Sequence, residues 1–107
     1  MEPSPAAGHL ECVQLSRLPP LTTLLVWTSN SFYRLVVVQQ SSVWVQGGAH
    51  FSNPTLAEFA GARMGRGFVV DDVICIGFKI ELRAAGTRIV TSPVLAMTTE
   101  SAHESIH

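Results

Sequence analysis

The chain has 107 residues, enough for one domain that buries a core of its own. Seven Lys and Arg against eight Asp and Glu give a formal net charge of −1, so bulk electrostatics select neither nucleic acid nor an anionic membrane. With 47% hydrophobic and only 14% charged residues, the chain must close its sheet or cover its edges with a partner copy.

Met1–Pro20 holds four prolines and Gly8 with no sustained period and reads as a flexible N-terminal arm, residues 1–20. Leu10–Leu18 within it has the spacing of one short helix. Met1-Glu2-Pro3-Ser4 carries no basic stretch before an early apolar run, so no secretion signal is expected. Leu21–Trp27 is apolar but far shorter than the roughly 20 residues of a membrane span, and no membrane partner is expected. The folded body is expected over residues 21–99.

Within that body the first strand is expected at Thr22–Thr28 and the second at Phe32–Gln40, with Ser29-Asn30-Ser31 as a polar corner between them. Val43–Gln46 follows and ends at Gly47-Gly48. Ser52-Asn53-Pro54-Thr55 starts a turn, and one short helix or helical turn is expected near 55–62, capped by Ser52 or Asn53 and ended by Gly61. Gly65-Arg66-Gly67 reads as a loop, Phe68-Val69-Val70 as a separate short piece, and Asp71-Asp72 as a turn. Val73–Leu82 gives the clearest signal. Ile74, Ile76, Phe78, Ile80 and Leu82 fall on one side of an extended chain, with Val73, Cys75, Gly77, Lys79 and Glu81 on the other. Ala85-Gly86 turns into Thr87–Thr91, and Pro93 puts the last strand, Val94–Met97, at an edge or after a bend. Residues 100–107 read as a disordered C-terminal tail. The pattern predicts an all-β fold, a small antiparallel barrel or sandwich of five or six strands.

Cys12 and Cys75 do not form the spaced set of a disulfide framework. A reducing cytosol is therefore the expected compartment. Cys75, flanked by Ile74 and Ile76, reads as a barrel-wall or subunit-contact residue, since no neighbouring cation or helix N-terminus marks a reactive thiolate.

Thr28-Ser29-Asn30-Ser31-Phe32-Tyr33-Arg34, Val45-Gln46-Gly47-Gly48-Ala49-His50-Phe51 and Thr91-Ser92-Pro93-Val94 resemble a pattern of small uncharacterised bacterial β-barrel-like proteins. There an Asn-Ser-x-Tyr strand start, a Val-x-Gly-Gly-x-x-Phe step and a Ser-Pro-Val ending recur. The resemblance spans most of Leu21–Thr99 and implies a small β-rich domain. It implies no activity, and no functional residue is carried over.

Groups with chemical potential are sparse. Gly61–Gly67 alternates glycine and arginine, as an anion-cradling loop would, but lacks the Gly-Lys-Ser/Thr ending of a P-loop; a connecting loop with solvated arginines is the stronger reading. His50, Ser52 and Asp71-Asp72 hold the residue types of a nucleophile, base and acid, yet nothing marks an elbow or an oxyanion hole. His103 and His107 have helical i, i+4 spacing without a third ligand. No enzyme activity, metal or cofactor is expected. Trp27, Phe32, Tyr33, Trp44 and Phe51 cluster, and with Arg34, Arg63, Arg66 and Lys79 they are candidate contacts to single-stranded nucleic acid. If Tyr33, Leu35, Val37, Val43 and Val45 face inward, then Val36, Val38 and Trp44 form an outward apolar stripe that needs covering. The leading expectation is a non-enzymatic interaction module that self-associates through Val36, Val38 and Trp44, with a protein partner as a further occupant. A single-stranded nucleic-acid binder is the alternative.

Overall fold

A computed structural model of the chain describes residues 11–100. Its elements are β1 (Cys12–Gln14), a 3₁₀ turn (Leu15–Arg17), β2 (Thr23–Thr28), β3 (Phe32–Gln39), β4 (Ser42–Gly47), β5 (Phe51–Met64), β6 (Phe68–Asp71), β7 (Val73–Cys75), β8 (Lys79–Ala84), β9 (Thr87–Val90) and β10 (Val94–Glu100). The fold is all-β and antiparallel as expected. The main sheet, however, has eight strands, not five or six, in the order β10-β2-β3-β4-β5-β8-β9 with β6 hung on β5. The ladder stays open between β9 and β10 and forms no closed barrel. Two backbone hydrogen bonds tie β10 instead to the turn before β8, from Gly77 N–H to the Val94 carbonyl and from Val94 N–H to the Phe78 carbonyl.

β5 organises the sheet. Its first part, Phe51 to Glu58, pairs with β4; its second part, Glu58 to Arg63, pairs with β8 on the opposite edge. β6 then continues beside Gly61–Met64. The sheet is thereby divided into a first half (β10, β2, β3, β4) and a second half (β6, β8, β9) that share one strand. The register slips between Phe59 and Gly61, and Gly61 is required there. It sits at φ 148°, and a Cβ would lie 2.1 Å from the Val70 carbonyl oxygen. Leu24, Val26, Leu35, Val43 and Val45 from the first half pack in one core with Phe59 of the shared strand and Ile80, Leu82 and Ile89 from the second half.

The helix expected near 55–62 is a strand. Leu-Ala-Glu-Phe-Ala favours a helix locally, but Ala57 and Phe59 are buried while Leu56 and Glu58 are exposed, a period of two that the flanking strands reward. Pro54 lies between the register pairs Gly47↔Phe51 and Val45↔Thr55, in the irregular stretch of β4 and β5, where its missing N–H breaks no regular ladder.

Val73–Leu82 is two strands rather than one. The chain turns at Ile76-Gly77-Phe78, where Gly77 has φ 94° and Phe78 N–H donates to the Cys75 carbonyl. Ile74, Ile80 and Leu82 are buried as the alternation requires, but Phe78 is turned out to solvent.

β7 leaves the main sheet to pair with β1, so the expected flexible arm 1–20 is ordered in its described part. Val13 and Leu15 are buried in the core, and Leu15 N–H donates to the Asp72 carbonyl. A strand and a 3₁₀ turn stand where Leu10–Leu18 predicts a helix. Cys12 and Cys75 are register partners joined by a disulfide, with Cα atoms 4.1 Å apart. The bonds from Ile76 N–H to the Glu11 carbonyl and from Leu15 N–H to the Asp72 carbonyl leave this pair at a non-hydrogen-bonded position, where opposed Cα atoms come closest. The expected unpaired Cys75 is thereby corrected. At the other end β10 runs on to Glu100, past the expected strand end at Met97 and into the expected tail. Residues 1–10 and 101–107, with the His103/His107 pair, lie outside the described residues. Among the described residues no helix is long and apolar enough to cross a membrane.

Candidate interaction surface

The first half of the sheet turns an apolar face outward. Tyr33, Leu35, Val37, Val43 and Val45 are buried, Val36 and Val38 are half-buried, and Trp44 is exposed. Strand pairing extends this stripe into rows: Thr23, Val36, Trp44 and Leu56 in one, Leu25, Arg34 and Gln46 in the next, Trp27 and Phe32 in the third. Trp27, Phe32, Trp44 and Leu56 are between 41% and 53% exposed, a large fraction for side chains of this size in a sheet centre. The Trp27 and Phe32 rings lie against each other with centroids 5.0 Å apart. Arg34, Val36, Trp44, Gln46 and Pro54 line a hollow of about 220 Å³ on this face. Leu56 escapes the sequence reading because its segment reads as a helix. Tyr33 and Phe51 are buried, so the five clustered aromatics do not form one platform for stacked bases.

The four candidate anion contacts are not gathered into one patch. Arg34 lies on β3 between Leu25 and Gln46. Arg63 and Lys79 are register partners on β5 and β8, and Arg66 is exposed in the turn between β5 and β6. Arg63 is already engaged: its guanidinium donates to Glu81 Oε1 at 2.8 Å, and Glu81 is buried. Two cations missed by the sequence reading join this region. Arg83 pairs with Glu58 across to β5 and with Arg88 across to β9, and both arginines are exposed. The signal was present in the two-residue Ala85-Gly86 loop, which sets Ala84 opposite Thr87 and hence Arg83 opposite Arg88.

The catalytic combination does not assemble. Asp71 pairs with Gly61, nine positions beyond Ser52 on the same strand, or about 30 Å at strand rise. The Asp72 carboxylate accepts the Ser16 N–H at 3.1 Å, which ties down the 3₁₀ turn. A cleft of about 470 Å³ opens along β5 where β4 gives way to β6, lined by Ser41, Glu58, Asp71, Asp72 and Arg83 among others. Among the described residues no group of three or more His, Cys, Asp or Glu side chains is arranged to hold a metal ion.

The residues that carried the sequence resemblance meet in space as packing devices. Thr28 Oγ1 accepts the Ser31 N–H at 3.0 Å and the Ser92 hydroxyl at 2.8 Å. Ser92 Oγ in turn accepts the Asn30 N–H at 3.1 Å, and Ser29 N–H donates to the Pro93 carbonyl. Tyr33 is the register partner of Gly47, and a Cβ on Gly48 would lie 2.5 Å from the Tyr33 hydroxyl. The Asn-Ser-x-Tyr start thus binds both other segments, through hydroxyls to Ser-Pro-Val and through ring packing to Gly-Gly. Comparison with protein-family models, with curated proteins and with solved structures finds no match for this chain.

Proposed function

We propose that this protein is a non-enzymatic interaction module that associates with a second copy of itself through the outer face of β2, β3 and β4. The carrying observation is the set of exposed side chains Trp27, Phe32, Trp44 and Leu56 around Val36, set on a buried opposite face. From Leu21 to Ala57 the sole charged side chain is Arg34, so this half has almost no solubilising cover of its own. A two-fold contact supplies the missing cover by setting one such patch against an identical one. Val38 follows at the register shift that leads into the β3–β4 turn. A different protein with a matching apolar face is the competing occupant.

Nucleic-acid binding through Arg34, Arg63, Arg66 and Lys79 has less support. Arg63 is committed to Glu81, and Arg34 belongs to the other half of the sheet. The Cys12–Cys75 disulfide fits an oxidising compartment better than the cytosol.

Sedimentation over a range of concentrations tests the reading with the intact, oxidised chain. The expected outcome is a dimer or small closed oligomer at micromolar concentration that Trp44→Lys converts to a folded monomer. A wild-type chain that sediments as a monomer throughout overturns it.

A further inference from the structure

We propose that the outer face of β5, β8 and β9 binds a linear sulfated polysaccharide, with Arg83, Arg88 and Lys79 as its principal contacts. Four of the seven basic residues of the chain lie in the rows of this face. They are Glu58–Arg83–Arg88, Gly61–Glu81–Val90 and Arg63–Lys79, and Arg66 stands at the adjoining turn. The Arg83–Arg88 juxtaposition is the key feature. Thr91 N–H donates to the Ile80 carbonyl, and with the two-residue loop this leaves Arg83 and Arg88 at a non-hydrogen-bonded pair, where opposed side chains come nearest. Like charges opposed in this way destabilise a hairpin. An anion set between two planar guanidinium forks reverses that cost.

Glu58 stands opposite Arg83 and shares a cleft with it, Asp71 and Asp72, but the ion pair made by the carboxylates of this region is the one between Glu81 and Arg63. Among the described residues neither Arg83, Arg88 nor Lys79 forms an ion pair. Lys79 and Arg83, four residues apart on β8, are spaced by about 13 Å along the strand. The exposed cations are therefore spread over the length of β8 rather than gathered at one point, which suits a polymer carrying repeated anionic groups better than a single small anion. No aromatic side chain stands in these rows, and the exposed Phe68 and Phe78 lie outside them, so the rows themselves present no ring on which bases would stack. A polymer read through sulfate charge needs none, and the disulfide fits the oxidising surroundings in which such polymers occur. The face borders the Trp44 row along β5 but shares none of its side chains, so the inference does not depend on self-association.

The test titrates the oxidised full chain with a heparin-derived octasaccharide at several salt concentrations. Binding is expected to weaken with salt, and Arg83→Ser and Arg88→Ser are each expected to lower the slope of log K against log salt by about one. Trp44→Lys, which addresses the dimer reading separately, is expected to keep the same arginine dependence. Absence of binding at low salt overturns the proposal, as does binding indifferent to both arginines. Tighter binding of a single-stranded oligonucleotide of equal charge through the same arginines also overturns it, in favour of nucleic acid. A second measurement tests the juxtaposition itself: Arg88→Thr is expected to raise the melting temperature at low salt, with the gain fading as salt is added. No gain at low salt removes the basis of the inference.

Discussion

Thr28 shows how much of this molecule is held by small polar side chains at corners. Its hydroxyl joins the β2–β3 turn to the approach to β10, donating to the Ser31 carbonyl and accepting from Ser31 N–H and the Ser92 hydroxyl, and Thr28 itself is buried. Valine has the same shape but leaves those partners unsatisfied, and a buried polar group without a partner costs about 1–3 kcal/mol. Thr28→Val is accordingly expected to lose about 2 kcal/mol in urea unfolding, with the oligomeric state unchanged. Thr91 works in the same manner: it is buried, accepts Ile80 N–H at 3.0 Å and donates to the Ser92 carbonyl at 2.7 Å. Ser29-Asn30-Ser31 was legible as a corner and Pro93 as a break before the last strand. Their mutual contact was not, because a hydrogen bond between positions 28 and 92 depends on strand order, which local pattern does not fix.

At the scale of elements, legibility followed whether the local pattern and the pairing pattern agreed. β2, β3 and β4 have polar or glycine stops, so their bounds could be read to within a residue or so, and with them the inward faces of β3 and β4. The turn between β8 and β9 was equally clear: Ala85 and Gly86 both take positive φ, the geometry a two-residue loop requires. β5 was hidden because its helix-forming residues obey a period of two that is rewarded only when β4 and β8 flank it. The break between β7 and β8 was hidden for the opposite reason: the apolar alternation runs through Ile76 and Phe78 although the hydrogen bonding changes partner there. Gly61 marks the bend of β5, and any side chain there collides with the β6 backbone. Gly61→Ala is expected to destabilise the fold by about 3 kcal/mol, measurable as a lower urea midpoint with a near-unchanged m-value. A variant as stable as wild type would mean that β6 can move away from β5.

For the whole molecule, the disulfide is the covalent cross-link that ties the start of the described chain to β7. Cys12 and Cys75 are separated by 63 positions, and closing a loop of that size restricts the unfolded chain by about 4 kcal/mol in the chain-entropy description. Urea unfolding of Cys12→Ser, or of wild type under reductant, is expected to show a loss approaching that value. Self-association should survive, because Val36 and Trp44 sit in the main sheet and not in the β1–β7 ribbon. This pairing was invisible in the cysteine spacing, since the first cysteine lies in a segment whose prolines suggested an arm. The proposed interaction surface was partly readable: the outward turn of Val36 and Trp44 followed from alternation alone, whereas Trp27, Phe32 and Leu56 join it only through strand register.

The sharing of β5 between the two halves has a mechanical consequence. Leu56 stands in the Trp44 row and Glu58 in the Arg83 row, two residues apart on the same side of one strand, about 7 Å. The greasy and cationic regions therefore abut along a continuous covalent spine. A tug on either region reaches its neighbour through peptide bonds, while the weaker cross-strand ladder is spared much of the load.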